Sequence, residues 1–497
     1  MQNVGSAWLM TDLSHSATLV SLVQTASSLP FVVAALPAGA LADIVDRRRL
    51  LIITQVASFA VVLALAVLTT LGLVTPFWLL VFTVCVGFLF AAANPTYQAI
   101  VQELVPREQL RPAIALNGSA VNVARAIGPA IAGLLIGATG VAPVFALNAL
   151  SFLLVVVALL QWRRHPTTSL APAERLIGAM RAGFRYTRVA LEFRAVLVRT
   201  VLFALPTSAI WALLPLVARA RLGYMGAFGY GALVGMLGVG SSIAVVILPT
   251  LVSRVSVDHL IVLASLVFGV MLLTLVFATS PIPLLLVMFV AGLAWLSAVS
   301  SLNAATQHRL PEWVRARGLA VYGLAFQGSL AAGSAVWGIV ADATSLSVSL
   351  AVAGTATIVG GVLGLTCRLA TGEKLDVHPA ALWPEPHLLR IPQMEEGPVL
   401  VEITYRVDGQ NVNSFLSAAG SLRQLRLRDG GTRWMLFEDP AEPGLFIETF
   451  LVESWAEHLR QHARATESDR NIQEHVLRFQ IEDEPVKVRH LIARPHG

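Results

Sequence analysis

The chain has 497 residues, of which 56% are hydrophobic and only 13% are charged, and its formal net charge is +5. A wholly water-soluble protein of this size needs more charged surface, so the composition excludes that class. The charge is also uneven, because residues 1–374 hold 22 basic and 11 acidic side chains whereas residues 375–497 hold 13 and 19. This shift predicts a domain boundary near residue 374. The basic residues of the first part lie between apolar runs, which favours phospholipid headgroups over nucleic acid as their partner.

Eleven apolar runs follow one another between residues 18 and 369, and most have the roughly 20 residues that a helix needs to cross a bilayer. They lie at 20–41, 50–72, 76–100, 113–137, 143–161, 196–217, 231–252, 260–278, 281–304, 318–340 and 345–368. Met1–Thr11 is apolar but too short to cross, and we expect it to be the outer part of an incomplete first helix. The prediction is an all-α membrane protein of two six-helix bundles, with eleven genuine spans as the alternative.

Basic residues mark alternate loops of this array. They are Arg47–Arg49, Arg107 with Arg111, Arg254, Arg309 with Arg315 and Arg317, and eight arginines between 163 and 199. By the positive-inside rule these loops and the C-terminal tail are expected to be cytoplasmic. Within the connection 163–195, apolar residues at 176, 180 and 184 recur at helical spacing. This spacing predicts a linker helix at the membrane surface between the bundles 1–162 and 196–370.

The two halves of the chain are related by an internal repeat. A shift of 205 residues places Pro106 on Pro311, Gly118 on Gly323, Gly128 on Gly333 and Gly133 on Gly338. A helix–loop–helix unit therefore recurs in the second half. Repeats of this kind are typical of secondary transporters, in which two related halves move around a central site.

The loop after the run 20–41 combines small and charged residues at fixed spacing, with Gly39, Asp43, Arg47 and Arg48 as its defining positions. It resembles the signature loop of the major facilitator superfamily, although Asp46 stands where that pattern has a second glycine. The resemblance implies a latch that is closed in the outward-facing state, since a carboxylate near a helix end can hold a neighbouring helix terminus or an arginine. A charge cluster that only fixes topology is the alternative.

Polar and aromatic residues inside the runs are candidates for substrate binding or coupling. Arg125 is the main candidate, since a charge deep in a span costs at least about 2.5–3.5 kcal/mol and calls for a partner, which could be an anionic substrate or a structural anchor. The others are Asn117, Asn122, Gln98, Asn303, Gln327, Trp211 and Trp295, with Asp12 as a weak proton-binding candidate. Packing between helices is the alternative for the residues inside the runs, and a solvated loop residue is the alternative for Asp12. Gly128 and Pro129 resemble the antiporter motif of drug exporters and predict a kink.

Residues 1–370 resemble the bacterial exporter branch that includes the enterobactin exporter, in the phrases at 1–11, 36–43, 103–107 and 115–129. The resemblance implies a multi-pass exporter of the cytoplasmic (inner) membrane that moves a siderophore- or drug-like small molecule by alternating access. Proton antiport is expected to drive it. We expect membrane lipid as a partner and no nucleic acid, cofactor or catalytic residue.

The tail begins with a Pro-rich linker, 371–397, and continues with a pattern of strands and helices over 398–497. The order β-α-β-β-α-β predicts a small α+β, ferredoxin-like domain. It resembles the antibiotic-biosynthesis monooxygenases around Trp455–His462. Because the tail shows no nucleophile–base set and no phosphate-binding loop, we expect self-association or regulation as its role. A membrane-anchored monooxygenase-like enzyme or a sensor is the alternative. His458 and His462 form a possible metal pair, but no third ligand is evident, so the sequence predicts a surface helix and no metal.

Overall fold

A computed structural model describes residues 1–44, 46–106, 109–162, 186–187, 189–367, 390, 392–481 and 486–494. Within the helices, the undescribed side chains include those of Gly39, Asp43, Gln98, Asn122 and Arg125. The predicted surface helix around residues 176–184 and most of the Pro-rich linker lie outside the described residues.

Thirteen α-helices precede residue 364 in the described part of the chain. They are α1 Gln2–Leu13, α2 Ala17–Ile44, α3 Arg47–Thr70, α4 Pro76–Leu104, α5 Leu110–Thr139, α6 Val141–Gln161, α7 Leu191–Thr207, α8 Ala209–Leu222, α9 Gly226–Val252, α10 Val257–Phe277, α11 Pro281–Arg309, α12 Glu312–Ala343 and α13 Leu346–Leu363. Every predicted run overlaps one of these helices, except that run 196–217 is divided between α7 and α8. Among the described residues, nine stretches are long and apolar enough to cross a membrane, and one of them, Glu192–Val252, contains three helices.

Successive spanning helices alternate in direction, so the array has two ends. We call the end that carries Arg47–Arg49 the basic end, and the end where α1 stops and α2 begins the far end. Short polar residues set the helix starts, because a side-chain oxygen satisfies backbone N–H groups that have no partner within the helix. Asp46 is such a cap, since its carboxylate accepts a 2.9 Å hydrogen bond from the backbone N–H of Arg49 at the start of α3.

The chain forms two compact units. The first comprises Met1–Pro172, Ala195–Ala305 and Tyr322–Leu369 and holds most of the apolar helices. Its core contains fully buried aromatic side chains such as Phe145, Phe203 and Phe268. The second unit comprises Ala173–Arg194, Thr306–Val321 and Ala370–Gly497.

The second unit contains a four-stranded antiparallel sheet in the order β2-β3-β1-β4. Its elements are β1 Val399–Arg406, α14 Val412–Asp429, β2 Thr432–Glu438, β3 Leu445–Val452, α15 Trp455–Ala463, α16 Glu467–Leu477 and β4 Lys487–Ile492. Alternate residues of β1 are buried, as the sequence pattern predicts. They pack with Phe415, Phe446 and Trp455 to form the core of this domain. The tail is therefore an α+β domain.

Candidate functional site

At the basic end, Arg48 holds the start of α3 against the end of α6. Its Nε and Nη2 donate 2.8 Å hydrogen bonds to the carbonyl oxygens of Leu159 and Leu160. These carbonyls lie in the last turn of α6, where backbone acceptors lack partners within the helix and the helix dipole favours a cation. Arg48 therefore joins two helices of the same half. Gly39 and Asp43 lie on α2, but their side chains are not among the described ones. The latch role of this loop therefore stays a prediction.

The second half has a buried ion pair that the sequence did not reveal. Arg199 lies within α7, not in the linker loop, and only 2% of it is exposed. Its guanidinium donates a hydrogen bond to the carboxylate of Asp258 in the first turn of α10. Arg199 was counted with the arginines of the linker, whereas the structure places it inside a helix. A buried charge needs a partner of opposite sign, and the sequence signal for this pair was an arginine and an aspartate near the starts of the apolar runs 196–217 and 260–278.

At the far end, a carboxylate from the second half caps a helix of the first half. Asp342, near the end of α12, accepts hydrogen bonds from Ser16 Oγ at 2.6 Å, Ala17 N at 2.7 Å and Thr18 N at 2.9 Å. These groups form the N-terminus of α2, where the helix dipole also favours an anion. Asp342 therefore links the two halves at this end, and sequence reasoning missed it.

A second polar link at the far end joins α8 to the end of α1. Arg219 donates to Asp12 Oδ1 at 2.8 Å and to Thr11 Oγ1 at 3.0 Å, and it also contacts the carbonyl of Thr11. Asp12 was a weak candidate for proton binding, and the structure places it in an ion pair. About two fifths of both side chains is exposed, so this pair is worth less than a buried one.

Close glycine contacts reinforce these links. A Cβ added at Gly133 of α5 would lie 2.7 Å from Gly231 Cα of α9, and one added at Gly231 would lie 2.6 Å from Gly133 Cα. A Cβ added at Gly338, the repeat counterpart of Gly133, would collide with the side chain of Ser21 and lie 3.0 Å from the carbonyl oxygen of Ala17, both of α2. Both contacts join the first half to the second, so glycine at these positions lets helices of the two halves approach closely. The helix α5 continues through Gly128 and Pro129, and the kink stays a prediction.

Two of the predicted aromatic candidates are brought together. The rings of Trp211 and Trp295 are 5.7 Å apart, and Trp295 also contacts Phe203, Phe268 and Phe326 at 5.6–6.0 Å. Contacts with four neighbouring rings favour the packing interpretation for Trp295. Among the other candidates, the structure shows Asn303 and Gln327 half-buried and Asn117 exposed.

In the second unit, Trp313 at the start of α12 contacts the α+β domain. The guanidinium of Arg464 lies 4.5 Å from the ring centroid of Trp313, in the first turn of α12. Tyr186 packs edge-on against the same tryptophan and donates a hydrogen bond to the carbonyl of Arg309. Arg464 also binds Glu457 of α15 at 2.6 Å and the carbonyl of Asp429 at 2.8 Å. The residue that ends α15 therefore contacts Trp313 directly.

The expectation of a surface helix with two histidines is wrong. Only 2% of His458 is exposed, and a third histidine, His490 of β4, joins the pair. The nearest ring nitrogens of His458, His462 and His490 all lie within 4.8 Å of one another. Strand β4 pairs with β1 so that His490 stands opposite buried Val401. The sequence predicted β4 as a strand, but it did not show that His490 lies next to α15. That proximity depends on the pairing of β4 with β1, which is a tertiary feature.

The environment of these histidines favours neutral rings. Burial, followed by the neighbouring His462 and His490, lowers the pKa of His458 from 6.5 to about 3. Burial, followed by His490 and Arg426, lowers the pKa of His462 to about 4, and burial also lowers the pKa of His490. At pH 7 all three rings are therefore predominantly uncharged.

A buried polar network lies beside the histidines. Glu448, which is fully buried, accepts hydrogen bonds from Tyr405 Oη at 2.8 Å, Arg426 Nε at 3.0 Å and Trp434 Nε1 at 2.9 Å. The carboxylate thus compensates the charge of Arg426, which is also buried. These hydrogen bonds to Glu448 hold Tyr405, Arg426 and Trp434 in place next to the histidine cluster.

The family model that matches this chain is described as transmembrane secretion effector, and it covers residues 1–496. The chain belongs to this family of major facilitator superfamily transporters. The protein is therefore a multi-pass membrane transporter and not an enzyme. The predicted superfamily and membrane class are confirmed.

Curated relatives of this transporter agree with the family. The staphyloferrin A transporter of Staphylococcus aureus (strain NCTC 8325 / PS 47) is 26% identical over 256 residues, or 51% of this chain and 64% of the relative. The uncharacterized MFS-type transporter YfiS of Bacillus subtilis (strain 168) is 28% identical over 146 residues, or 29% of this chain and 34% of the relative. The matches thus span less than two thirds of either relative's length.

Solved structures share the fold at low sequence identity. A mutant of the nucleoside transporter NupG aligns with a TM-score of 0.61 at 12% identity, covering 73% of this chain and 94% of NupG. A bacterial homolog to the human lysosomal transporter Spinster, in an inward-facing and unoccupied conformation, aligns with a TM-score of 0.55 at 14% identity, covering 74% and 92%. These similarities show the transporter fold alone.

Proposed function

We propose that this transporter exports a siderophore- or drug-like small molecule across the bacterial inner membrane by alternating access, driven by proton antiport. The observation that carries the proposal is the set of links between the halves at the far end. Asp342 on the α2 terminus, Arg219 on Asp12 and the Gly133–Gly231 contact all lie there. When the halves are closed at the far end, we expect the central site to be open toward the basic end.

The opposite state requires these links to break. Separating the halves at the far end would remove the three hydrogen bonds that Asp342 accepts and the ion pair of Arg219. The loop with Gly39, Asp43 and Arg47 would then close the basic end, which is the latch role that the resemblance implies. Arg48 would stay bound to α6 in both states, because its partners lie in the same half.

The substrate class rests on the staphyloferrin A transporter, which is similar to half of this chain. A cation deep in the helices is an appropriate partner for an anionic substrate. We infer that Arg125 contacts the substrate from α5, with Asn117, Asn122, Gln98, Asn303 and Gln327 as further polar contacts. We infer that the proton is carried by a carboxylate that titrates during the cycle.

The chain organisation follows from the same proposal. The bundles 1–162 and 196–370 are the two moving halves, joined by the linker 163–195, and the basic end with the domain 398–497 is cytoplasmic. The βαββαβ order with strands β2-β3-β1-β4 supports a ferredoxin-like domain. We infer that this domain regulates transport or mediates self-association. The contact between Arg464 and Trp313 favours regulation.

Uptake into inverted membrane vesicles tests the transport proposal. The probes are labelled staphyloferrin A, a catecholate siderophore and a cationic dye, each with an imposed proton gradient, acidic inside. We expect uptake of at least one probe, abolished by a protonophore and by Asp43→Asn but retained in Asp408→Asn, an exposed carboxylate of the tail. Absence of gradient-dependent uptake for the whole panel would contradict the proposal.

A further inference from the structure

The second unit holds a cluster of ring nitrogens that transport does not use. His458 and His462 lie one turn apart on α15, so both rings project from the same face of the helix. His490 comes from β4, the edge strand of the sheet, and its ring centroid lies 4.6 Å from that of His458. Two secondary-structure elements thus supply three imidazoles to one place.

The distances in the cluster suit one shared ion. The closest ring nitrogens lie within 4.8 Å of one another. Around a tetrahedral Zn²⁺ with Zn–N bonds of 2.0–2.1 Å, two imidazole nitrogens lie about 3.4 Å apart. Binding of one ion therefore requires these nitrogens to move closer together by about 1.4 Å or less.

The hydrogen-bonding state of the cluster points to a ligand. Among the described residues, Gln461 lies near the ring of buried His458 but no hydrogen bond of normal geometry reaches either ring nitrogen, and none reaches Nε2 of His490. Buried polar atoms are almost always satisfied, and such orphaned atoms call for an explanation such as an ion or an ordered water. The buried ring of Trp455 packs against the cluster, with its centroid 5.2 Å from that of His458 and 5.9 Å from that of His490.

The chemistry of the donors selects the kind of ion. Three imidazole nitrogens suit Zn²⁺, Co²⁺, Ni²⁺ and Cu²⁺, whereas Mg²⁺ and Ca²⁺ prefer oxygen ligands. The nearby cation Arg426 does not oppose binding by its full charge, because Glu448 pairs with it at 3.0 Å. Three histidines leave one coordination position for water or another small ligand.

We propose that His458, His462 and His490 together bind one divalent transition-metal ion of the Zn²⁺ class. The site goes beyond the proposed transport function and does not depend on it. It gives the α+β domain a ligand of its own, held between α15 and β4. Since α15 also carries Glu457 and ends at Arg464, occupancy would fix the helix that contacts Trp313.

Metal titration of the full chain in detergent, purified without a polyhistidine tag and stripped with a chelator, tests the proposal. Co²⁺ reports its own geometry through visible absorption bands, and Zn²⁺ stoichiometry follows from equilibrium dialysis. We expect one ion per chain, no competition by Mg²⁺, and at least a tenfold loss of affinity in His490→Ala and His462→Ala. The matched control His475→Ala, an exposed histidine of α16, keeps wild-type binding.

His490→Cys separates loss of a ligand from loss of the fold. A thiolate at this position restores a metal donor, so we expect Co²⁺ to bind and to show an added sulfur-to-cobalt charge-transfer band. If His490→Ala does not fold, His462→Ala and His490→Cys decide alone. The proposal is overturned if the wild-type chain binds neither Co²⁺ nor Zn²⁺, which would mean that the three rings hold only a water molecule. It is also overturned if His462→Ala and His490→Cys bind metal with the same affinity and spectrum as His475→Ala.

Discussion

At the scale of single residues, charged side chains interact with helix termini or with side chains of opposite charge. Arg48 and Asp342 illustrate the two cases, with a cation on the last turn of α6 and an anion on the first turn of α2. Asp46, which departs from the superfamily pattern, has a local role as the cap of α3. The substitution of glycine by aspartate therefore supplies a start signal for the next helix.

Replacing Arg48 tests the importance of its contacts. Hydrogen bonds to charged groups contribute roughly 1.5–3 kcal/mol each, and partial exposure lowers that figure. We expect Arg48→Ala to lower the free energy of unfolding by about 1–3 kcal/mol, seen as an apparent melting temperature a few degrees lower in detergent. Arg49→Ala is the matched control, since Arg49 is exposed and such surface changes stay within about 0.5 kcal/mol. Equal effects of the two substitutions would argue against the α3–α6 anchor.

The buried histidines predict a pH dependence of the α+β domain. Their pKa values in the folded chain, about 3 for His458 and about 4 for His462, lie below the ordinary 6.5. Between pH 6.5 and about 4 the unfolded chain therefore binds more protons, so stability falls as the pH falls through this window. At about 1.4 kcal/mol per pKa unit the loss is on the order of 3 kcal/mol for one histidine.

Hydrogen exchange of α15 and β4 in metal-free buffer measures this dependence. We expect protection to decrease from pH 7 to pH 5 after correction for the intrinsic exchange rate, and to decrease less in His458→Leu. Unchanged or rising protection in that range would contradict the assignment of buried, neutral rings.

At the scale of elements, helix contacts between the halves depend on the absence of side chains. Gly133 and Gly231 meet backbone to backbone, whereas a Cβ at Gly128, five residues earlier on α5, would meet no atom of the described residues within 4 Å. Gly133 thus permits close contact between α5 and α9, whereas the described residues leave free space around Gly128. Substitutions at Gly133 and Gly128 therefore offer a matched comparison.

Gly133→Ala and Gly128→Ala should have opposite consequences. The first forces α5 and α9 apart, and overpacking of this kind costs about 1–3 kcal/mol, so we expect a lower melting temperature and a weaker far-end closure. The second replaces glycine within a helix by a better helix former and should be neutral or stabilising by up to about 1 kcal/mol. Thermal unfolding in detergent measures both. Destabilisation by Gly128→Ala alone would contradict the packing described for α5.

The contact of Arg464 with Trp313 predicts a local effect. A cation–π pair contributes about 0.5–2 kcal/mol, so Trp313→Leu should raise hydrogen exchange at the end of α15 several-fold. Trp78→Leu, at the start of α4 and half exposed, serves as the control and should leave α15 unchanged. Identical exchange in α15 for both variants would show that Trp313 does not restrain it.

At the scale of the whole molecule, composition and periodicity were sufficient for the transporter class, because apolar runs of spanning length are local features. The links that define the conformation are not local. Ser16 and Asp342 are 326 residues apart, and Arg48 and Leu159 are 111 apart. His490 likewise reaches α15 only through the pairing of β4 with β1. Sequence patterns therefore predicted which residues carry charge or ligating atoms, but not which of them meet.

Distance measurements by electron spin resonance test alternating access most directly. Spin labels at Leu73 and Ile282 report the far end, and labels at Arg49 and Ser253 report the basic end, in a background with Cys85 and Cys367 replaced by Ser. Asp342→Ala removes the cap on α2, and a loss of about 1.4 kcal/mol shifts a two-state ratio tenfold. We predict that this variant lengthens the far-end distance and shortens the basic-end distance together. Unchanged distances at both ends, or both distances lengthening, would contradict alternating access between the two halves.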